Sequence, residues 1–291
     1  MHLIVIILGF TGVLGKLISC DSDVLVWYRM LIAFLFLLVY VYFNSNLYIS
    51  KTHFLKLSLI GIIVAAHWLF FFESIKVSNV SVAVVCMGTS SLFSAILEPI
   101  ILKRKFIVRE LILSVVVLFA ISIAMQADWS YKLGFFYGII AAFLATLFTI
   151  YNSLYIDIVE SEKITLIEMF SGFLLLSIYF LFSGTTPASD FLLKSSDLIY
   201  LLILGVLCTS FAFALSVEVM KKLSPYNVIM AVNLEPIYSI LLALIIFGES
   251  ENMSVDFYVG ALLIIASVTV DGINKKKSFK NNNQPIDVKQ P

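Results

Sequence analysis

Lys222-Leu223-Ser224 leads into an apolar run over residues 226–247 whose middle reads Asn233-Leu234-Glu235-Pro236-Ile237-Tyr238-Ser239. A run of this length matches the roughly 20 residues that an α-helix needs to cross the hydrocarbon core of a bilayer. One carboxylate and one proline stand near its centre. A proline there removes a backbone hydrogen bond and bends the helix, and the carbonyl it frees is tolerated inside a membrane only where it faces a cavity or other protein.

Nine further runs of the same kind lie on either side, at about residues 2–20, 24–43, 55–73, 80–102, 108–126, 133–153, 165–183, 198–218 and 256–273. Hydrophobic residues make up 61% of the 291 and charged residues 13%, against about 45–50% and 25% in an ordinary soluble domain. Lipid can solvate that much apolar surface and water cannot. The first run begins at Leu3 without a basic segment before it or a small-residue cleavage site after it, so it reads as a membrane helix rather than a removed signal. The tail from Asn274 to Pro291 is rich in Lys, Asn and Gln and is expected to be disordered.

Ten spans with a cytoplasmic N-terminus put fourteen Lys and Arg residues inside, among them Lys51, Lys56, Lys103, Arg104, Lys105 and Arg109, and only Lys76, Lys132 and Lys194 outside. That asymmetry sets both termini in the cytoplasm. The chain also repeats itself. Lys76-Val77-Ser78 opens the fourth run as Lys222-Leu223-Ser224 opens the ninth, 146 residues later. Five helices per copy is an odd number, so the second copy must lie upside down, an arrangement that suits alternating access. The fold expected is an all-α membrane protein of two inverted five-helix repeats, residues 1–126 and 133–273, with a tail over 274–291.

Leu234 to Ser239 is followed by a closing Phe247-Gly248-Glu249 and by Val259-Gly260-Ala261-Leu262-Leu263-Ile264. With them go Gly9-Phe10-Thr11-Gly12 followed by Lys16, Tyr28-Arg29, and Gly134-Phe135-Phe136-Tyr137-Gly138. In their order and spacing these stretches resemble the EamA family of the drug/metabolite transporter superfamily. The resemblance implies a ten-helix inverted-repeat fold, a central cavity, and export or exchange of a small metabolite such as an amino acid. The first half departs from the family pattern. It carries Gly88-Thr89-Ser90-Ser91-Leu92-Phe93 where a proline is usual, with Glu98-Pro99 only later and Lys103-Arg104 in place of the closing Gly-Glu. The two halves are therefore expected to bend in different places.

An ionisable group inside a bilayer is costly and hence a functional candidate. Glu235 is the first, as a carboxylate for a proton or a substrate amine, with Asn233, Pro236 and Tyr238 around it; helix-to-helix hydrogen bonding is the plainer role. His67 is a second proton candidate or a neutral hydrogen-bonding residue. Trp68 offers a wall for a substrate cation or simple packing. Ser90, Ser91, Tyr151 and Asn152 are polar enough to line a cavity, although Ser in membrane helices usually bonds its own backbone. Lys16 and Arg29 sit toward the outer ends of their helices, either snorkelling and pairing with Asp21 and Asp23 or drawing anions to an outer mouth. Glu73 and Glu218 are expected to pair with Lys76 and Lys222. Glu98 reads as structural, held by the basic residues 103–105, and Glu168 as interfacial near Lys163.

Formal net charge is zero, which argues against nucleic acid. No cofactor motif is present, and in particular no phosphate loop for ATP. His2, His53 and His67 are too dispersed for a local metal motif, and Cys20, Cys86 and Cys208 give no pairing pattern. The partners expected are a small-molecule substrate and the lipid bilayer, with proton coupling a further expectation. Gly134 with Gly138 permits close helix contact within one chain or in a homodimer. The rival to a transporter is a membrane-embedded lipid-modifying enzyme or a non-transporting membrane protein.

Overall fold

The computed structural model describes residues 1–127, 129–183 and 191–282. Its helices are α1 (His2–Leu17), α2 (Ser22–Asn44), α3 (Lys51–Val77), α4 (Val80–Met87), α5 (Ser90–Ile101), α6 (Val108–Ala127), α7 (Lys132–Ser153), α8 (Ser161–Ser183), α9 (Ser195–Leu202), α10 (Ala212–Val219), α11 (Pro225–Val232), α12 (Glu235–Phe247) and α13 (Val255–Asn282). A π-helical stretch, Ile203–Phe211, joins α9 to α10. Among the described residues there is no strand.

Local chemistry sets where these helices start and stop. Side chains of Ser50, Asn79 and Ser224 accept the backbone N–H three residues on, from His53, Val82 and Asn227, which satisfies donors that a helix start leaves open. Pro225 then occupies the first turn of α11, where its missing N–H costs nothing. Gly248 ends α12 at φ 58° and ψ −128°, a conformation that a side chain with a Cβ resists.

Seven helical stretches among the described residues are long and apolar enough to cross a membrane: 22–44, 51–77, 80–101, 129–153, 161–183, 195–219 and 225–251. Two shorter apolar helices, His2–Leu17 and Val255–Ser267, accompany them. Leu181, Phe182 and Ile245 are 80%, 85% and 80% exposed. Apolar surface this bare belongs against lipid. The chain is an integral multi-pass membrane protein.

The helices pack in a regular pattern. α3 lies against α7 and α8, and α2 lies against α8 and the π-helical stretch. α1 packs on α12, α4 on α7, and α6 on α13. The α4–α5 stretch crosses the α11–α12 stretch, with α4 on α12 and α5 on α11. Gly134 and Gly138 face α3 and α4 of the same chain: Ser74 donates to the Gly134 carbonyl at 2.7 Å, and a Cβ on Gly138 would meet Cys86. The close contact these glycines allow is therefore internal.

Both crossing stretches break at midlength. The second breaks at Asn233-Leu234, because Pro236 cannot donate to the Val232 carbonyl. The first breaks at Gly88-Thr89, in the matching place, contrary to the expectation of different bends. Hydroxyls do there what the proline does in the other half. Thr89, Ser90 and Ser91 turn their side chains back onto the carbonyls of Cys86, Met87 and Gly88, competing with the helical ladder.

The ends of the two stretches are tied crosswise. Glu251, fully buried, accepts the N–H groups of Val80 and Ser81 at 3.1 and 3.0 Å and pairs with Lys16 at 2.7 Å. At the opposite end Glu98 accepts the N–H of Tyr226 at 2.7 Å and pairs with Arg104 at 2.9 Å, which also holds Glu110 at 2.8 Å. Each carboxylate sits on the positive N-terminus of the other stretch. Several sequence expectations change here. Lys16 pairs with Glu251 and not with Asp21 or Asp23. Lys76 donates to the Ile18 carbonyl at 2.6 Å rather than to Glu73. Glu218 pairs with Lys221 at 2.8 Å, one residue before the Lys222 expected, because an i,i+3 neighbour also lies on its face.

Helix α13 continues through Asn282, beyond the Asn274 at which order was expected to end. Lysine is a good helix former and suits a helix C-terminus, so the helix already begun propagates into the basic segment. The rest of the tail lies outside the described residues.

Candidate functional site

Where the two broken stretches cross, the Asn233 carboxamide donates to the Gly88 carbonyl at 3.4 Å. The two breaks are thus in contact. Beside them lies a cavity of about 110 Å³. Leu8, Thr11, His67, Trp68, Phe71, Phe148 and Phe213 form much of its wall, and Arg29, Ser90, Asn152, Asn233 and Glu235 supply polar groups. It extends toward the end of the molecule that holds Val217, Met220 and Val228.

Arg29 is 1% exposed and lines this cavity, so it does not sit at an outer mouth. Its guanidinium lies 3.7 Å from the centre of the Trp68 ring and its Nε donates to Thr209 Oγ1 at 2.8 Å. Thr209 is in the π-helical stretch and donates to the Leu204 carbonyl five residues back, so the widened turn aims its hydroxyl at Arg29. The Nη1 of Arg29 is buried without a hydrogen-bond partner. The Trp68 face that the sequence offers to a substrate cation is thus occupied by an internal one.

Glu235 is 7% exposed and lines the same cavity. It and Arg29 attract one another electrostatically, yet Arg29 forms no ion pair among the described contacts. The first turn of α12 holds Glu235 because the break beneath it is made by Pro236. His67 has its Nδ1 2.8 Å from the Ala141 carbonyl; a carbonyl only accepts, so Nδ1 carries the hydrogen. Its ring packs against Phe148 and Phe71.

Ser90, Asn152 and Asn233 line the cavity as expected from sequence, whereas Ser91, Tyr151, Pro236, Tyr238 and Lys16 are not part of its wall. Ser91 bonds its own backbone, Pro236 shapes the break, and Tyr151 is packed against the core. Tyr238 lies beside Gly9, where Ser239 donates to the Gly9 carbonyl at 2.9 Å and holds α12 against α1.

A second cleft opens where α2 begins and α3 ends, lined by Asp21, Asp23, Glu73 and Lys76. Three carboxylates against one ammonium do not make an anion-drawing mouth. Sequence reasoning also missed Thr209, Phe148 and Phe213, which carry no pattern distinguishing them from ordinary helix packing, and Thr11, which it noted only within Gly9-Phe10-Thr11-Gly12. Glu168 is corrected most strongly. It is 0% exposed rather than interfacial, because Lys163 turns instead to Asn46 and Glu160.

The EamA-like transporter family matches residues 1–126 and 132–270. A crystal structure, titled only as that of a protein, aligns with a TM-score of 0.71 at 13% identity, over 94% of this chain and 96% of that one. At that identity the likeness carries the fold alone. A sequence search against curated proteins finds no match.

Proposed function

The chain belongs to the EamA-like transporter family of the drug/metabolite transporter superfamily, and from that premise we propose a secondary transporter that moves a small zwitterionic metabolite by alternating access. One observation carries the substrate class. Arg29, with a buried N–H lacking a partner, and Glu235 line one cavity without pairing to each other. A substrate carboxylate suits the guanidinium, which bonds oxyanions through a fork of N–H groups. A substrate ammonium suits Glu235. The aromatic wall then takes an apolar side chain.

The fold reading is ten crossings in two inverted repeats, residues 1–126 and 133–273, with both termini cytoplasmic. The seven long stretches plus α1, α6 and α13 make up the ten. Exchanging each crossing for the one five places on turns the α3–α7 contact into that of the α9–α10 stretch with α1, and turns α4–α7 into α12–α1. The pairs α2–α8, α6–α13 and α4–α12 exchange with themselves. This correspondence supports the repeat, as do the paired helix breaks and the crosswise carboxylates. With that orientation the cavity extends toward the cytoplasm, and the state described is inward-facing.

In this mechanism the substrate enters between α7, α10 and α11 and spans Arg29 and Glu235. It thereby neutralises two buried charges, which favours closure around the loaded site. The breaks at Gly88-Thr89 and Asn233-Leu234 let half-helices tilt while the outer halves keep their packing. Export is the direction expected of the family. Family membership favours this reading over a lipid-modifying enzyme.

The test is exchange of radiolabelled amino acids in liposomes, starting with L-leucine and extending across apolar, acidic and basic members. We expect saturable exchange of apolar zwitterions, weakened when the amino or carboxyl group of the substrate is blocked. Equal transport of the blocked and free compounds would remove the zwitterion assignment.

A further inference from the structure

Glu251, Glu98 and Asp197 are buried carboxylates with donors: backbone N–H groups and Lys16 for the first, Tyr226 N–H and Arg104 for the second, and Ser19 for the third. Glu110 shares Arg104. Among the described residues two buried carboxylates have no donor: Glu235, which lines the cavity, and Glu168, which does not. Glu168 is the more enclosed. It is 0% exposed and neither of its oxygens closes a hydrogen bond of ordinary geometry. The polar group beside it is the carboxamide of Asn152, itself 0% exposed with both polar atoms unpartnered. Asn152 in turn lines the central cavity.

The surroundings supply no counter-charge. α8 packs against α2, α3 and α10, whose charged and titratable groups on this side are Arg29, His53, Lys56, His67 and Glu218, with Tyr151 on α7. None forms an ion pair with Glu168 among the described residues. Arg29 is engaged by Thr209 and Trp68, His67 by the Ala141 carbonyl, and Glu218 by Lys221. Gly61 brings α3 so close that a Cβ there would stand 2.6 Å from the Glu168 Cα and carbonyl oxygen. That approach packs α3 tightly against the α8 backbone at Glu168, and Asn152 is the polar group beside its carboxyl.

We propose that Glu168 is the proton-binding site that couples transport to a pH gradient, with Asn152 as its link to the cavity. This rests on the transporter reading and assigns the coupling ion. A proton is the ligand that fits, since one carboxylate oxygen holds it, whereas a metal cation needs a shell of several oxygens and only Glu168 and Asn152 offer any here. The step is one of binding alone: a proton from cavity water joins a carboxylate oxygen, and leaves by the same route. Position adds to the case. α2 and α8 are both 23 residues long, and Arg29 and Glu168 are each the eighth residue of their helix. At equivalent places, one half carries the fixed cation of the substrate site and the other an ionisable carboxyl. Glu235 has Arg29 to attract it and serves the substrate; Glu168 has no such partner and serves the proton.

The test uses the full chain in liposomes as wild type, Glu168→Gln and Glu235→Gln. Infrared difference spectra across a pH titration should contain a protonated-carboxyl band that shifts in heavy water, vanishes in E168Q and persists in E235Q. A band unchanged in E168Q overturns the proposal. L-leucine uptake should rise several-fold under an outward-directed proton gradient of one pH unit in the wild type, since an exporter exchanges its substrate against the proton. In E168Q that rise should disappear while leucine exchange without a gradient persists. A gradient response retained in E168Q also overturns it. Absence of leucine flux in the wild type counts against the transporter reading, and the proton site is then decided by the infrared band alone.

Discussion

Arg29 illustrates how a residue changes meaning between sequence and structure. Its number places it near the start of an apolar run, where a basic side chain ordinarily snorkels to the headgroups. What the spacing does not disclose is Trp68 from α3 and Thr209 from a π-helical stretch converging on it from opposite sides of the chain. Glu235 and Asn233 were legible because a carboxylate and an amide beside a proline stand out in an apolar run. Glu168 was not, because Lys163 offers an obvious partner five residues away and the sequence does not reveal that this lysine turns toward Asn46. Two substitutions test the substrate contacts. Arg29→Gln removes a charge-assisted contact of about 1.5–3 kcal/mol, so leucine exchange should need about 10- to 100-fold more substrate to half-saturate. Arg29→Lys should recover only part of the loss, since an ammonium cannot reproduce the planar fork. Unaltered half-saturation in both variants would put the substrate elsewhere. Glu235→Gln should weaken binding of leucine while leaving that of its amine-blocked derivative unaltered.

Among the elements, the helix runs follow from hydropathy and length, and apart from the C-terminal end of α13 their bounds agree with sequence reading to within a few residues because the bilayer enforces them. The break in α4–α5 was misjudged because proline is the conspicuous helix breaker, whereas three consecutive hydroxyls achieve the same local unwinding without one. Pro236→Ala should return an N–H to the Val232 carbonyl and improve the helix. We expect a higher thermal midpoint together with slower exchange, measured side by side on one purified sample. Faster exchange would mean that the break is not needed for movement. The crosswise carboxylates have no short-range signature: Glu251 is separated from Val80 by most of the chain, and the sequence draws attention to Glu249 instead. Glu251→Ala leaves two backbone N–H groups and Lys16 without their acceptor. Loss of one member of a buried pair costs about 3–5 kcal/mol, so thermal stability should fall clearly, and less for Lys16→Ala, because that lysine is 25% exposed. Equal stability of E251A and wild type would mean that this end of the crossing contributes little to holding α4 and α12 together.

On the scale of the whole molecule, the short Lys-Val-Ser and Lys-Leu-Ser echo already suggested two related halves, and the contact pattern extends that suggestion to every major helix pairing. Orientation was read from the lysines and arginines alone, and Cys20 provides a direct check on it. It lies in the short link between α1 and α2, on the side that the charge asymmetry assigns to the outside, while Cys86 and Cys208 are buried. Burial pushes the Cys20 thiol up to about 11, with Lys76 pulling the other way. The thiolate is the reactive form, so at neutral pH only a small fraction reacts, and labelling should accelerate about tenfold per pH unit while the pH stays below that value. A membrane-impermeant maleimide applied to intact cells or right-side-out vesicles should therefore modify Cys20 slowly at pH 7 and faster at pH 8. A cysteine introduced by Asp157→Cys, exposed in the link between α7 and α8, should react only after permeabilisation. The reverse pattern would invert the molecule in the membrane and turn the inward-facing cavity into an outward-facing one. The substrate site proposed at Arg29 and Glu235 would stay unchanged, and the direction in which the proton site proposed at Glu168 meets the gradient would be reversed.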